Sequence, residues 1–141
     1  MDHIVYVDTQ SREMEQLLKG EKIMIVRTAS GRKIPFNRVE NGDRLFFTQN
    51  NGEGLILASA LVKQVTQFGP VNRELSFEIL KNHQSQLNLS ERQFNRWGGK
   101  RYLVLVEMDS LQKIHPFKFN RSAFHNMDDW LPVGNIETVK E

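Results

Sequence analysis

Two cations in the first quarter of the chain have the types and spacing of an anion-binding pair. Lys22 and Arg27 bracket four apolar residues, and Arg32 and Lys33 follow in a loop that contains glycine. A lysine supplies a mobile point charge and an arginine a planar fork, so the pair suits a phosphate and a base edge. The alternative is a buried strand with a solvated charge at each end.

Strand geometry restricts how this pair could act. Side chains alternate along a strand, so positions 22 and 27 face opposite sides of an ideal one. Lys22 and Arg27 can share a cleft only if a bulge intervenes, or if Lys22 lies at the entry of the strand.

Further candidates come from local charge and from one aromatic residue. The net charge is only +2, but five basic residues stand between positions 27 and 44 against two acidic ones. Such an excess attracts phosphate, although a solvated loop has the same composition. Trp130 has polar neighbours and is a candidate for base stacking by a partly exposed ring, or else packs at the end of a barrel. The candidate binding residues are Lys22, Arg27, Ser30, Arg32, Lys33, Arg38, Arg101 and Trp130.

Other chemistries lack their motifs. No two of the four histidines have the spacing of a helical zinc site, and there is no cysteine, so we expect neither a metal nor a cofactor. Phosphate-binding glycine loops and a nucleophile elbow are also missing. The histidines are His3, His83, His115 and His125. Without cysteines, a signal peptide or a long apolar run, a cytoplasmic protein with no membrane partner is expected.

The first half of the chain reads as alternating short elements. A strand is expected at His3–Asp8, followed by a short helix that stops at Gly20, and then a strand in the segment 22–27. A tight turn at 41–43 leads into a strand at Arg44–Gln49, and a long apolar strand follows within 54–68. Three strands in hairpin succession favour an antiparallel, curved sheet.

The second half contains the clearest local signal. Ser90 and Gln93 form a capping box, with Leu89 and Phe94 as a hydrophobic staple, before a helix that ends at a Gly-Gly pair. An apolar strand at 100–108 is expected to lie centrally, and the tail is expected to be loop with a short strand or helix. This order predicts one α+β domain over residues 1–141, with a closed or half-closed barrel and short flanking helices.

The segment that contains Lys22 and Arg27 resembles the ASCH branch of the PUA-like superfamily and its EVE-like relatives. Their motif is Gly-x-Lys-x-x-Glu-x-Arg after a helix end, followed later by a Gly-Asp turn. Gly20, Lys22, Arg27 and the Gly42–Asp43 pair match it over roughly the first half of the chain, whereas Ile25 stands where the family has Glu. The resemblance implies a mixed or antiparallel pseudo-β-barrel that binds RNA, DNA or modified nucleotides in a cleft beside the motif.

Some small bacterial ASCH proteins that this chain resembles remove the acetyl group from acetylated cytidine. Their chemistry uses the motif Lys, a Thr three residues later and a distant Glu. Ile25 occupies the Thr position and has no hydroxyl, so it cannot be a nucleophile. The residues therefore favour a protein that is not an enzyme.

Three hypotheses follow from these residues. The first is a domain that binds nucleic acid, RNA in particular, or a modified nucleotide in a basic cleft. The second is a hydrolase of nucleosides or RNA, in which Lys22 is the general acid/base or electrostatic group. The third is a protein-interaction module that uses an exposed Trp130 and the apolar tail.

Overall fold

A curved six-stranded sheet and four short helices make up the regular structure in the described part of the chain. The structure is a computed structural model and describes residues 1–124 and 126–141. The strands are β1 Asp2–Val7, β2 Met24–Ala29, β3 Arg44–Gln49, β4 Leu55–Phe68, β5 Tyr102–Lys118 and β6 Trp130–Gly134. The helices are α1 Glu13–Leu18, α2 Arg73–Asn82, α3 Gln84–Leu87 and α4 Glu91–Trp97. None of these helices has the length and apolar character needed to cross a membrane.

The sheet has the strand order β2-β5-β4-β3-β1-β6 and forms a half-barrel. The expected hairpin of β3 and β4 is present, but the expected succession of three hairpin-linked strands is wrong, because β2 pairs with β5 rather than with β3. β1 runs parallel to β3 and antiparallel to β6. The α+β half-barrel with short helices confirms the predicted fold class.

The position of β2 follows from its two apolar faces. Ile25 packs in the core inside the curved sheet, whereas Met24 and Val26 pack with the helices on the other side. A strand that is buried on both faces needs cover from both layers. Its partner β5 is buried in the same two clusters, whereas Phe46 of β3 packs in a third one.

Local signals give several boundaries correctly. Gly20 has a φ of +74° and ends the segment after α1, and Gly42 has a φ of +91° in the turn before β3. In α4, the Ser90 hydroxyl accepts from Gln93 N, and the Gln93 side chain accepts from Ser90 N, which confirms the capping box. The segment around Pro116 is part of β5 rather than loop, because it falls where the β4–β5 register shifts and a proline is tolerated.

Candidate functional site

A cleft of about 290 Å³ opens where the end of β1, the start of α1, the end of α4 and the segment before β6 meet. Its wall contains two half-buried aromatic side chains, Tyr6 and Trp97. The other lining residues are polar or charged, apart from Val7 and Met127. They are Asp8, Glu13, Arg27, Asn50, Gln93, Arg96, Arg121, Asp128 and Asp129.

The floor of the cleft is a buried acid–base group, here called the cleft-floor cluster and made of Asp8, Glu13, Lys22 and Gln93. The Glu13 carboxylate accepts from the backbone N–H of Asp8 and from Gln93 Nε2, each at 3.0 Å. Lys22 Nζ lies 3.4 Å from Glu13 Oε2. Glu13 is therefore held by three donors and still lines the cleft.

Lys22 lies behind this carboxylate rather than in the cleft itself. Its side chain is fully buried, and its ammonium also donates to the carbonyl of Leu87. Burial lowers the pKa of Lys22 below its ordinary value, and Glu13 opposes the shift. Because β2 begins at Met24, Lys22 precedes the strand and the alternation rule does not apply to it.

Arg27 closes the open side of the half-barrel. It extends from the edge strand β2 and donates to the carbonyl of Tyr6 on β1 at 2.6 Å and to the carbonyl of Val26 at 2.8 Å. Its Nε lies 3.3 Å from Asp129 Oδ2. The guanidinium carbon is 5.0 Å from the ring centre of Trp97. Arg27 therefore shapes the cleft wall, and both of its terminal nitrogens already donate to backbone carbonyls.

Helix α4 supplies the more exposed cations of the site. The guanidinium of Arg96 stacks 4.4 Å from the ring centre of Trp97, and its side chain is half exposed. Arg92 donates to Asp8. Burial would raise the pKa of the Asp8 carboxyl, but hydrogen bonds from Arg92 and Ser11 outweigh it and hold this pKa below its usual value.

A shallower groove of about 170 Å³ continues from the cleft along β2. Arg27, Arg96, Trp97, Met127 and Asp129 line both. The groove adds Lys33, whose ammonium lies 3.4 Å from Asp128 Oδ1. The cleft and the groove therefore form one continuous surface.

The predicted binding residues divide into two sets. Arg27 lines the cleft, Lys33 lines the groove, and Lys22 supports the floor. Four others are exposed and line neither the cleft nor the groove; they are Ser30, Arg32, Arg38 and Arg101. Trp130 is buried. The cleft lining holds three arginines and four carboxylates, so it is of mixed charge and not the expected basic cleft.

Trp130 belongs to a second buried group, the barrel-end cluster of His3, Asp43 and Trp130. The indole N–H donates to His3 Nδ1 at 3.0 Å, and His3 Nε2 lies 2.8 Å from Asp43 Oδ2. Because an indole N–H only donates, His3 Nε2 carries the proton and donates to Asp43. Trp130 is 1% exposed, which corrects the expectation of a partly exposed ring and removes one of the two features behind the interaction-module hypothesis.

Ile25 is also a core residue. It is 1% exposed and packs inside the curved sheet. The position where the motif has Glu, or Thr in the amidohydrolases, thus holds a buried hydrocarbon side chain in this chain. Among the described residues no three His, Asp or Glu side chains converge as metal ligands would, and His125 lies outside the described residues.

Sequence reasoning missed Glu13, Gln93, Arg96, Trp97 and the acidic pair Asp128 and Asp129. Glu13 and Gln93 each have a local explanation, as a first-turn acid and as part of a capping box. The pairing of the Glu13 carboxylate with the Gln93 amide could have been suspected only with knowledge of the fold, because 80 positions separate the two residues.

The fold is similar to that of solved ASCH proteins. The crystal structure of ASCH from Zymomonas mobilis matches with a TM-score of 0.71 and 15% identity, over 97% of this chain and 90% of that one. Two variants of that protein match equally well, each with a TM-score of 0.71 over 97% of this chain. The tyrosine-to-phenylalanine variant has 15% identity and is covered to 93% of its own length, and the serine-to-alanine variant has 14% identity and is covered to 91%. No protein-family model matches the chain, and neither does any curated protein sequence. The chain therefore has an ASCH-like fold.

Proposed function

We propose that the cleft of this ASCH-like fold binds a nucleoside unit, either within single-stranded RNA or DNA or as a modified nucleotide. The observation that carries the proposal is the pairing of an aromatic and guanidinium wall with a rigid polar floor. Trp97 and Arg96 form the wall, and Glu13 and Gln93 form the floor. Bases stack on aromatic rings and guanidinium planes, and fixed polar groups read their edges.

The size and the polar groups of the cleft support this ligand class. A cleft of about 290 Å³ is at the small end of ligand pockets, as a single base or nucleoside requires. Glu13 accepts, whereas Asn50 and Gln93 both donate and accept. Buried groups of this kind reject ligands that leave them unpaired.

Tryptophan fluorescence provides the test, because the two tryptophans occupy different environments. Trp97 lies in the cleft wall and Trp130 in the core. Titration with nucleosides, acetylated cytidine and short single-stranded RNA at low salt should change the emission of the protein, and Trp97→Phe should remove most of that change. Arg96→Gln should weaken binding about tenfold, as loss of a stacking contact predicts. Arg38→Gln removes the same charge outside the cleft and should bind normally. Absence of binding to every nucleoside and oligonucleotide would refute the proposal.

A hydrolase is the second candidate, and the arrangement of Glu13 favours it. This carboxylate is oriented by Lys22 and Gln93 and faces the cleft, as a general base that activates water must do. Lys22 would hold Glu13 rather than touch the substrate. Release of acetate from acetylated cytidine, lost in Glu13→Gln, would support this activity, and no release by the native protein would remove it.

A further inference from the structure

We propose that Asp128 and Asp129 are specificity-determining residues that keep a ligand's phosphate group out of the cleft, so that the cleft itself accepts the base and sugar. The inference rests on the proposed nucleoside site and specifies which part of a ligand the cleft accepts. Its basis is the set of contacts that these two carboxylates make with the cations of the cleft and groove.

Asp129 lies between two arginines at the junction of cleft and groove. Its Oδ2 is 3.3 Å from Arg27 Nε and 3.9 Å from Arg96 Nη2. The remaining nitrogens of Arg27 donate to the carbonyls of Tyr6 and Val26. Because Arg27 is also only 7% exposed, a phosphate could reach it in the two-point geometry that arginine favours only by displacing these partners.

Asp128 forms a similar ion pair with Lys33, the lysine of the groove. Its Oδ1 is 3.4 Å from Lys33 Nζ, and its side chain is 28% exposed. Asp129 is 35% exposed, so both carboxylates are directed partly into the space that a ligand enters. An incoming phosphate would meet Arg27, Arg96 and Lys33 together with their counter-ions.

The net charge of the residues that line the cleft also disfavours a phosphate there. Three arginines face four carboxylates, Asp8, Glu13, Asp128 and Asp129, which leaves a net charge of 3 − 4 = −1. The residues that line the cleft therefore carry no excess of positive charge, although the protein as a whole has a net charge of +2. Like charges placed together lower affinity and reject unsuitable partners.

Inorganic pyrophosphate tests the inference without requiring nucleoside binding. Calorimetric titration at low salt should show weak or undetectable binding to the native protein and binding at least about tenfold tighter to Asp129→Asn, since one nearby charge is removed. Asp128→Asn should show a smaller gain, and it decides the question if Asp129→Asn fails to fold. The double variant R96Q/D129N should lose the gain.

Glu137→Gln is the matched control, because it removes an exposed carboxylate that pairs with Lys140 away from the cleft. The pyrophosphate titration overturns the inference if the native protein binds tightly, if neither Asp variant gains affinity, or if Glu137→Gln gains as much as they do. A separate titration compares a nucleoside with its 5′-monophosphate. If neither binds the native protein the proposed function fails, whereas equal binding of both refutes only the selection against phosphate.

Discussion

The cleft-floor cluster and the barrel-end cluster are built from the same kind of interaction but differ in what surrounds them. Each buries a basic side chain against a carboxylate, Lys22 against Glu13 and His3 against Asp43. In the barrel-end cluster the base is satisfied on both sides, since Trp130 donates to one ring nitrogen and Asp43 accepts from the other. In the cleft-floor cluster the carboxylate also lines a cavity.

This difference separates a structural role from a functional one. A closed network contributes stability and fold specificity. A network that presents one polar group to a cavity can also bind a ligand, and it holds that group in place by the donors behind it. Three substitutions and one change of pH test this difference between the two clusters, and they are given in order of decreasing expected effect.

Lys22→Met should have the largest effect. Removal of one partner of a buried ion pair leaves Glu13 without its cation, and such changes cost about 3–5 kcal/mol. Urea unfolding at neutral pH measures the loss. Lys19→Met alters an exposed lysine nearby and should change stability by less than about 0.5 kcal/mol. A loss in Lys22→Met as small as the control would show that the pair contributes little.

His3→Leu should destabilise the protein without affecting the cleft. It leaves the Trp130 N–H and one Asp43 oxygen without their partner, at a cost of about 2–4 kcal/mol. Urea unfolding measures this loss, with the exposed His115→Leu as the control. The nucleoside affinity of the folded variant should equal that of the native protein. A weakened affinity would contradict the division between the two clusters.

Glu13→Gln, unlike His3→Leu, should weaken nucleoside binding by the folded protein, in addition to the stability that is lost with the Lys22 ion pair. The amide keeps the size of the side chain but loses the charge, and we expect nucleoside affinity to fall about tenfold, as loss of a charged hydrogen bond predicts. Fluorescence titration measures the effect. Glu15→Gln, an exposed change on the same helix, should bind normally. Native affinity in Glu13→Gln would make the cleft-floor cluster as purely structural as the barrel-end cluster.

The smallest effect is a pH dependence that comes from the barrel-end cluster. Burial lowers the pKa of His3, although Asp43 opposes the shift. As pH falls through about 6.5 the unfolded chain takes up a proton that the folded protein does not, so stability decreases by at most about 1.4 kcal/mol per pH unit. Unfolding curves between pH 7 and 5.5 should show this slope in the native protein and a shallower one in His3→Leu. Equal slopes would contradict the assignment.

Local features of the fold were predictable from the sequence, and pairings between distant segments were not. The bounds of β3, the stop at Gly20 and the capping box of α4 agree with expectation because each depends on residues a few positions apart. The pairing of β2 with β5 joins residues such as Arg27 and Val104. Apolar patterns indicate that both strands are buried but do not specify their partners.

The same limit applies to the candidate site. Lys22 and Arg27 could be selected because they fall in a short motif, and both are close to the cleft. The basic loop residues Arg32 and Arg38 follow from composition alone, which does not distinguish an exposed turn from a cavity wall. Glu13 became visible as a site residue only when its partners Gln93 and Lys22 were brought to it by the fold.

The position of β1 has a consequence for how the chain reaches its final form. β1 lies between β3 and β6, so its two neighbours come from the middle and the end of the chain. The pairing of Ile4 with Leu131 closes a loop of nearly the whole sequence. Contacts between residues so distant in sequence slow folding, since the chain loses loop entropy before they form. During synthesis one edge of β1 therefore stays unpaired until β6 has been made. The newly made chain is prone to aggregate through that edge.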